Sequence, residues 1–77
     1  MTRLKILSPA MMEAVLFQLG FVKTRQKGSH AFYRHPDGRT TTIPHHQGRD
    51  LSRPLIREIL REAETSLEEF QEVLRKI

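Results

Sequence analysis

The chain has 77 residues, no cysteine and no tryptophan, and its 13 lysines and arginines outweigh 9 acidic residues to give a formal charge of +4. That length fits one small domain over residues 1–77, and the lack of cysteine excludes disulfide staples, thiolate zinc sites and thiol nucleophiles. No apolar run approaches the ~18 residues of a membrane span and the start of the chain lacks a signal-peptide core, so a cytoplasmic protein with no membrane partner is expected.

Ser8-Pro9 reads as an N-cap followed by proline in a first helical turn. Ala10, Met11, Ala14, Val15, Leu16, Phe17 and Leu19 give that helix its apolar face, with Met11 and Met12 as core filler, and Gly20 ends it. Residues 21–27 alternate as a strand, with Lys23, Arg25 and Lys27 on one side and Val22, Thr24 and Gln26 on the other. Gly28-Ser29 supplies a turn into a second strand, His30 to Arg34. Phe32 and Tyr33 point to opposite faces there; Phe32 is expected in the core, leaving Tyr33 to stack on a base.

His35-Pro36-Asp37-Gly38 is a hairpin signal, with His35 as a turn residue, and leads into a third strand from Arg39 to Pro44. After a polar loop from His45 to Leu51, Ser52 caps a second helix whose Leu55, Ile56, Ile59, Leu60 and Ala63 share a face. Ser66-Leu67-Glu68-Glu69 is a capping box for a short third helix carrying Leu67, Phe70, Val73, Leu74 and Ile77. This order predicts an α+β fold: helix, three-stranded antiparallel sheet, helix and an extra C-terminal helix. The helices cover one face of the sheet and leave a basic face open.

Charge is unevenly spread. Residues 21–57 hold Lys23, Arg25, Lys27, Arg34, Arg39, Arg49, Arg53 and Arg57 against Asp37 and Asp50, together with all four histidines. Glutamates crowd the last third. A basic centre points to an anionic partner; ordinary solubilising charge is the plain alternative.

Within that centre, Gln26-Lys27-Gly28-Ser29-His30 places an imidazole after a flexible turn. Imidazoles titrate near neutrality, and surrounding cations can hold a polyanion against one. Cutting RNA requires the ribose 2′-hydroxyl to lose a proton and the leaving 5′-oxygen to gain one, which makes His30 the candidate general acid/base. The plain alternative is a histidine that closes the turn by a backbone hydrogen bond. Lys27 and Arg25 are candidate phosphate contacts, Gly28 and Ser29 form the turn that exposes the ring, and Ser29 can donate a hydrogen bond to a phosphate. Alternation allows only one of His45 and His46 to reach the site, as a second proton-transfer group or a phosphate contact. Arg53, Arg57 and Arg61 form a helical stripe that can grip an RNA backbone or an acidic partner. With no cysteine and no H-x-x-x-H spacing, no metal site is expected, and no dinucleotide or P-loop fingerprint calls for a small-molecule cofactor.

The runs Gly20-Phe21-Val22, Arg25-Gln26-Lys27-Gly28-Ser29-His30 and Tyr33-Arg34-His35-Pro36-Asp37-Gly38 resemble the HicA family of toxins. The likeness continues through Thr42-Ile43-Pro44-His45-His46, Gly48-Arg49-Asp50-Leu51 and Leu55-Ile56-Arg57-Glu58-Ile59-Leu60, covering roughly residues 10–63 in order and spacing. Pro54 departs from it, standing where such families carry glycine. The resemblance implies a fold like the double-stranded-RNA-binding domain and a metal-independent endoribonuclease acting on mRNA or other RNA, neutralised by a HicB-type antitoxin. It implies that His30 carries the chemistry and that His46 matches the family's histidine after proline. Arg25, Lys27, Gly28, Ser29, Arg34 and His46 then form the expected RNA-binding set. Two other readings stay open: an RNA-binding module that does not cut, and a structural partner docked through its acidic helix.

Overall fold

The computed structural model describes residues 6–77, which form α1 (Pro9–Gln18), β1 (Val22–Lys27), β2 (His30–Arg34), β3 (Thr40–Pro44), α2 (Arg53–Glu62) and α3 (Leu67–Lys76). Residues 1–5, the start of the expected domain and of the stretch read for a signal peptide, lie outside the described residues. No described helix is long and apolar enough to cross a membrane.

Each helix starts on a serine in extended conformation. The hydroxyls of Ser8, Ser52 and Ser66 accept from the backbone N–H of Met11, Leu55 and Glu69 at 3.1, 3.4 and 3.0 Å, satisfying donors the helix itself leaves free. Proline occupies the first turn of α1 and α2, so Pro54 is accommodated where its missing N–H costs nothing. α1 ends in a Schellman motif: Phe21 N donates to Leu16 O at 2.9 Å, Gly20 N donates to Phe17 O at 3.1 Å, and Gly20 takes φ +99°. α2 ends the same way, with Thr65 N on Leu60 O and Glu64, rather than glycine, in the left-handed position.

The sheet has the order β1-β2-β3, antiparallel throughout. Gly28 has φ +59° and Ser29 does not have positive φ, the type II′ pattern suited to a two-residue hairpin. At the β2–β3 turn, Asp37 Oδ1 accepts from Arg39 N, and the Arg39 guanidinium both grips Asp37 and donates to Ala63 O at the end of α2. Arg39 is thus committed to tying the hairpin to the helix layer. Ala31, Tyr33 and Ile43 project from the strands onto Met12, Val15, Leu16, Ile56, Ile59, Leu60 and Phe70, forming a single core between sheet and helices.

Three side-chain placements correct the sequence reading. Phe32 lies on the open face and Tyr33, 1% exposed, is in the core, where its hydroxyl finds partners that make burial tolerable. Met12 is buried but Met11 is 41% exposed, because α1 turns Met12, Val15, Leu16 and Leu19 inward and is otherwise too uniformly apolar to show its phase in sequence. The third concerns β1. Its pairing with β2 slips between Lys23, opposite Tyr33, and Arg25, opposite Phe32, leaving Thr24 as a bulge whose hydroxyl donates to Phe32 O at 3.2 Å. Lys23 therefore faces the helices with Tyr33, whereas Arg25 and Lys27 face the open side. The expected row of three cations is a row of two.

Candidate functional site

Cross-strand partners share a face, so register alone lays out the open surface in rows. Arg34 stands between Val22 and Thr40, Phe32 between Arg25 and Thr42, and His30 between Lys27 and Pro44. From Arg34 to His30 this strip runs roughly 13 Å at the ~3.3 Å rise of a strand residue. The Arg25 guanidinium lies 4.6 Å from the centroid of the Phe32 ring, making a cation–π platform at its middle. A cleft of about 390 Å³ lined by Thr24, Arg25, Phe32, Arg34 and the threonines of β3 follows the same strip.

At its far end the II′ turn delivers His30 to the first position of β2, exposed and next to Lys27. Its ring meets that of His46 edge-on, at 6.3 Å between centroids and 80° between planes. The backbone joins the two turns directly, since His45 N donates to Ser29 O at 2.6 Å, one residue before each ring. Beyond His46, a second cleft of about 410 Å³ is lined by Ser8, Pro9, Gln47, Gly48, Arg49 and Asp50, which sets one cation and one carboxylate, neither expected at the site from sequence, beside it.

Adjacent residues point opposite ways, and His45 accordingly turns to the helix side. Its Nε2 is 2.9 Å from the Tyr33 hydroxyl, which donates to Glu13 Oε2 at 2.5 Å; Lys23 Nζ closes the chain on the same oxygen at 2.9 Å. Tyrosine has one phenolic proton, and it goes to Glu13, so the Tyr33 oxygen accepts from an Nε2–H of His45. Burial drives the Tyr33 phenol far above its ordinary range, and the bond to Glu13 pushes the same way. For Glu13 burial acts upward, but the hydrogen bonds from Tyr33 and Lys23, with the Lys23 charge, hold it below the usual carboxylate range. This network anchors the end of β3 to α1 and leaves His46 to the open face. Sequence reasoning missed it, although Glu13 is the sole charged residue of α1.

The remaining sequence candidates separate from this face. His35 is a turn residue as read, its Nδ1 accepting from Asp37 N at 3.1 Å and its ring resting against Phe21 and Gly20. Of the helical stripe, Arg57 and Arg61 line a different cleft on the helix layer with Leu60 and Thr65, and Arg61 is held by Glu58 at 2.7 Å. His30, His46, Lys27, Arg25 and Arg34, with the Gly28-Ser29 turn, are brought together on one surface.

Fold and surface define a class: a small α+β domain resembling the double-stranded-RNA-binding fold, with a cationic sheet face carrying two neighbouring imidazoles. The family described as "HicA toxin of bacterial toxin-antitoxin" matches residues 11–65, more than half of the chain. The chain belongs to the HicA toxin family of bacterial toxin–antitoxin systems. No curated protein matches the sequence.

Proposed function

We propose that this toxin is an endoribonuclease that cuts mRNA or other RNA in the cytoplasm and is neutralised by a HicB-type antitoxin. The observation that carries the reading is His30, displayed by the Gly28-Ser29 turn on the open face beside Lys27 and His46. In this reading Arg25, Lys27 and Arg34 bind successive phosphates, Phe32 and the Arg25 guanidinium give a base a surface to stack on, and Ser29 supplies a hydroxyl at the turn. His30 moves the proton. Attack of the 2′-oxygen on phosphorus expels the 5′-oxygen and leaves a 2′,3′-cyclic phosphate, with Lys27 offsetting charge that builds on the phosphoryl oxygens.

The test is incubation of purified protein with single-stranded RNA in excess chelator, followed by analysis of the new ends. Fragments with 2′,3′-cyclic phosphate and 5′-hydroxyl ends are expected. RNA that is retarded on a gel but stays whole would instead establish a binding module on the same face.

A further inference from the structure

We propose that His46 is the second proton-transfer group of this site, paired with His30 across the scissile phosphate. The inference rests on the ribonuclease reading above and goes beyond it, since that reading asks only His30 to move protons.

The two rings are not neighbours by accident of a loose loop. The His45 N–H on Ser29 O fixes the backbone one residue before each ring, and β2–β3 pairing of His30 with Pro44 extends the same ladder. On the opposite face, the bond from His45 to Tyr33, held in turn by Glu13 and Lys23, stops the strand end from rolling over. Strand alternation then sends the His46 side chain to the open face, where its ring meets His30 edge-on. Both rings are exposed, so a substrate phosphate has access to each.

Chemistry gives that geometry its meaning. Transphosphorylation needs a proton removed from the 2′-hydroxyl and another delivered to the departing 5′-oxygen, on opposite sides of phosphorus. One imidazole serves one end at a time. Ring centres 6.3 Å apart are a separation at which a phosphate between them puts one apical oxygen within hydrogen-bond reach, about 2.6–3.2 Å, of each ring. As the P–O2′ bond forms and the P–O5′ bond breaks, one ring gains the 2′ proton and the other loses its own to the 5′-oxygen. The pair's net charge is unchanged by the step, and the next turnover needs only a proton exchange with water. Lys27 shares the row of His30, and its part in this scheme is to offset charge on the phosphoryl oxygens, with no proton to transfer.

The experiment compares wild type, His30→Ala and His46→Ala on two RNA substrates: one with the natural linkage and one with sulfur in place of the bridging 5′-oxygen. Sulfur leaves without being protonated, so this substrate spares whichever imidazole acts as the acid. Loss of roughly 10²–10⁴-fold in kcat on the natural linkage is expected for His46→Ala, with affinity for RNA carrying a 2′-deoxy cleavage site nearly unchanged. One of the two variants, and not both, should recover on the sulfur linkage. His46→Ala cutting the natural linkage at close to the wild-type kcat, or weakened only through KM, would make His46 a contact residue and overturn the proposal. Recovery of neither variant overturns it as well. If the wild type cuts neither substrate, the ribonuclease reading itself fails, an outcome distinct from the others.

Discussion

The bulge at Thr24 makes a prediction that strand alternation alone would get wrong. By simple alternation Lys23, Arg25 and Lys27 are equivalent, and each would contribute to holding RNA. In the structure Lys23 is turned to the helix side and bonded to Glu13 at 2.9 Å, while Arg25 and Lys27 face the open strip. Each phosphate neutralised on a single strand contributes a slope near −0.7 in log affinity against log salt, or about 2.6-fold in affinity between ~50 and ~200 mM salt. Binding of a fluorescent single-stranded RNA with a 2′-deoxy cleavage site, followed by anisotropy in a His30→Ala background that slows cutting, reads this slope. Lys27→Ala and Arg25→Ala should each flatten it by about 0.7, and Lys23→Ala should leave it unchanged. Lys23→Ala should show its effect in stability instead, as the loss of a part-exposed ion pair worth at most about 1 kcal/mol. In a domain this size that lowers Tm by no more than roughly 4–8 °C. A salt slope flattened by Lys23→Ala as much as by Lys27→Ala would refute the bulge and the division of faces built on it.

Three further outcomes follow from the same contacts. A Cβ on Gly20 would sit 2.9 Å from His35 Nε2 at φ +99°, and the ring is pinned by Asp37 N and Phe21, so Gly20→Ala should cost about 2–3 kcal/mol in urea unfolding. In a His35→Ala background that cost should fall by about 1 kcal/mol; equal costs in the two backgrounds would rule out the steric contact. Tyr33 is the only tyrosine and tryptophan is absent, so the ultraviolet phenolate band reports this group alone. Its raised pKa means the contribution is complete below the unfolded-state value and is lost as pH rises above it, so phenolate should appear only with alkaline unfolding; a smooth native titration near pH 10 would contradict this. Glu13 is shifted the other way: its contribution is present above the unfolded-state value and fades as pH falls through the lower folded value. The stability gap between wild type and Glu13→Gln, about 1–2 kcal/mol near neutrality, should therefore close on the acid limb, and a gap constant down to acid unfolding would argue against the charged network.

Much of the fold was written locally. Three serine caps, two first-turn prolines, Gly20 and the Asp37-Gly38 turn each act within a few residues, and they set the element boundaries that the chain adopts. Sidedness was harder. His30 and Arg34 bracket Phe32 at period two, a readable sign that Phe32 shares their polar face, but a bulky apolar ring outweighed it. Thr24 carries no local mark of a bulge, because the slip in register is set by the hairpin and by what packs on each face. α1 is apolar nearly all round, so nothing local told Met11 from Met12. The histidine turn was legible because glycine, serine and imidazole act together over three residues. The bond network of Glu13, Tyr33, His45 and Lys23 was not, because it joins α1, two strands and a loop, and only folding sets them side by side.

In the proposed function the exposed ring of His30 moves a proton in RNA cleavage. The direct measurement is the single-turnover rate of His30→Ala on a short RNA at saturating protein, with folding checked by circular dichroism and affinity by anisotropy. A loss of roughly 10²–10⁴-fold with fold and affinity retained is predicted. A folded, RNA-binding His30→Ala protein that cuts at the wild-type rate would contradict it.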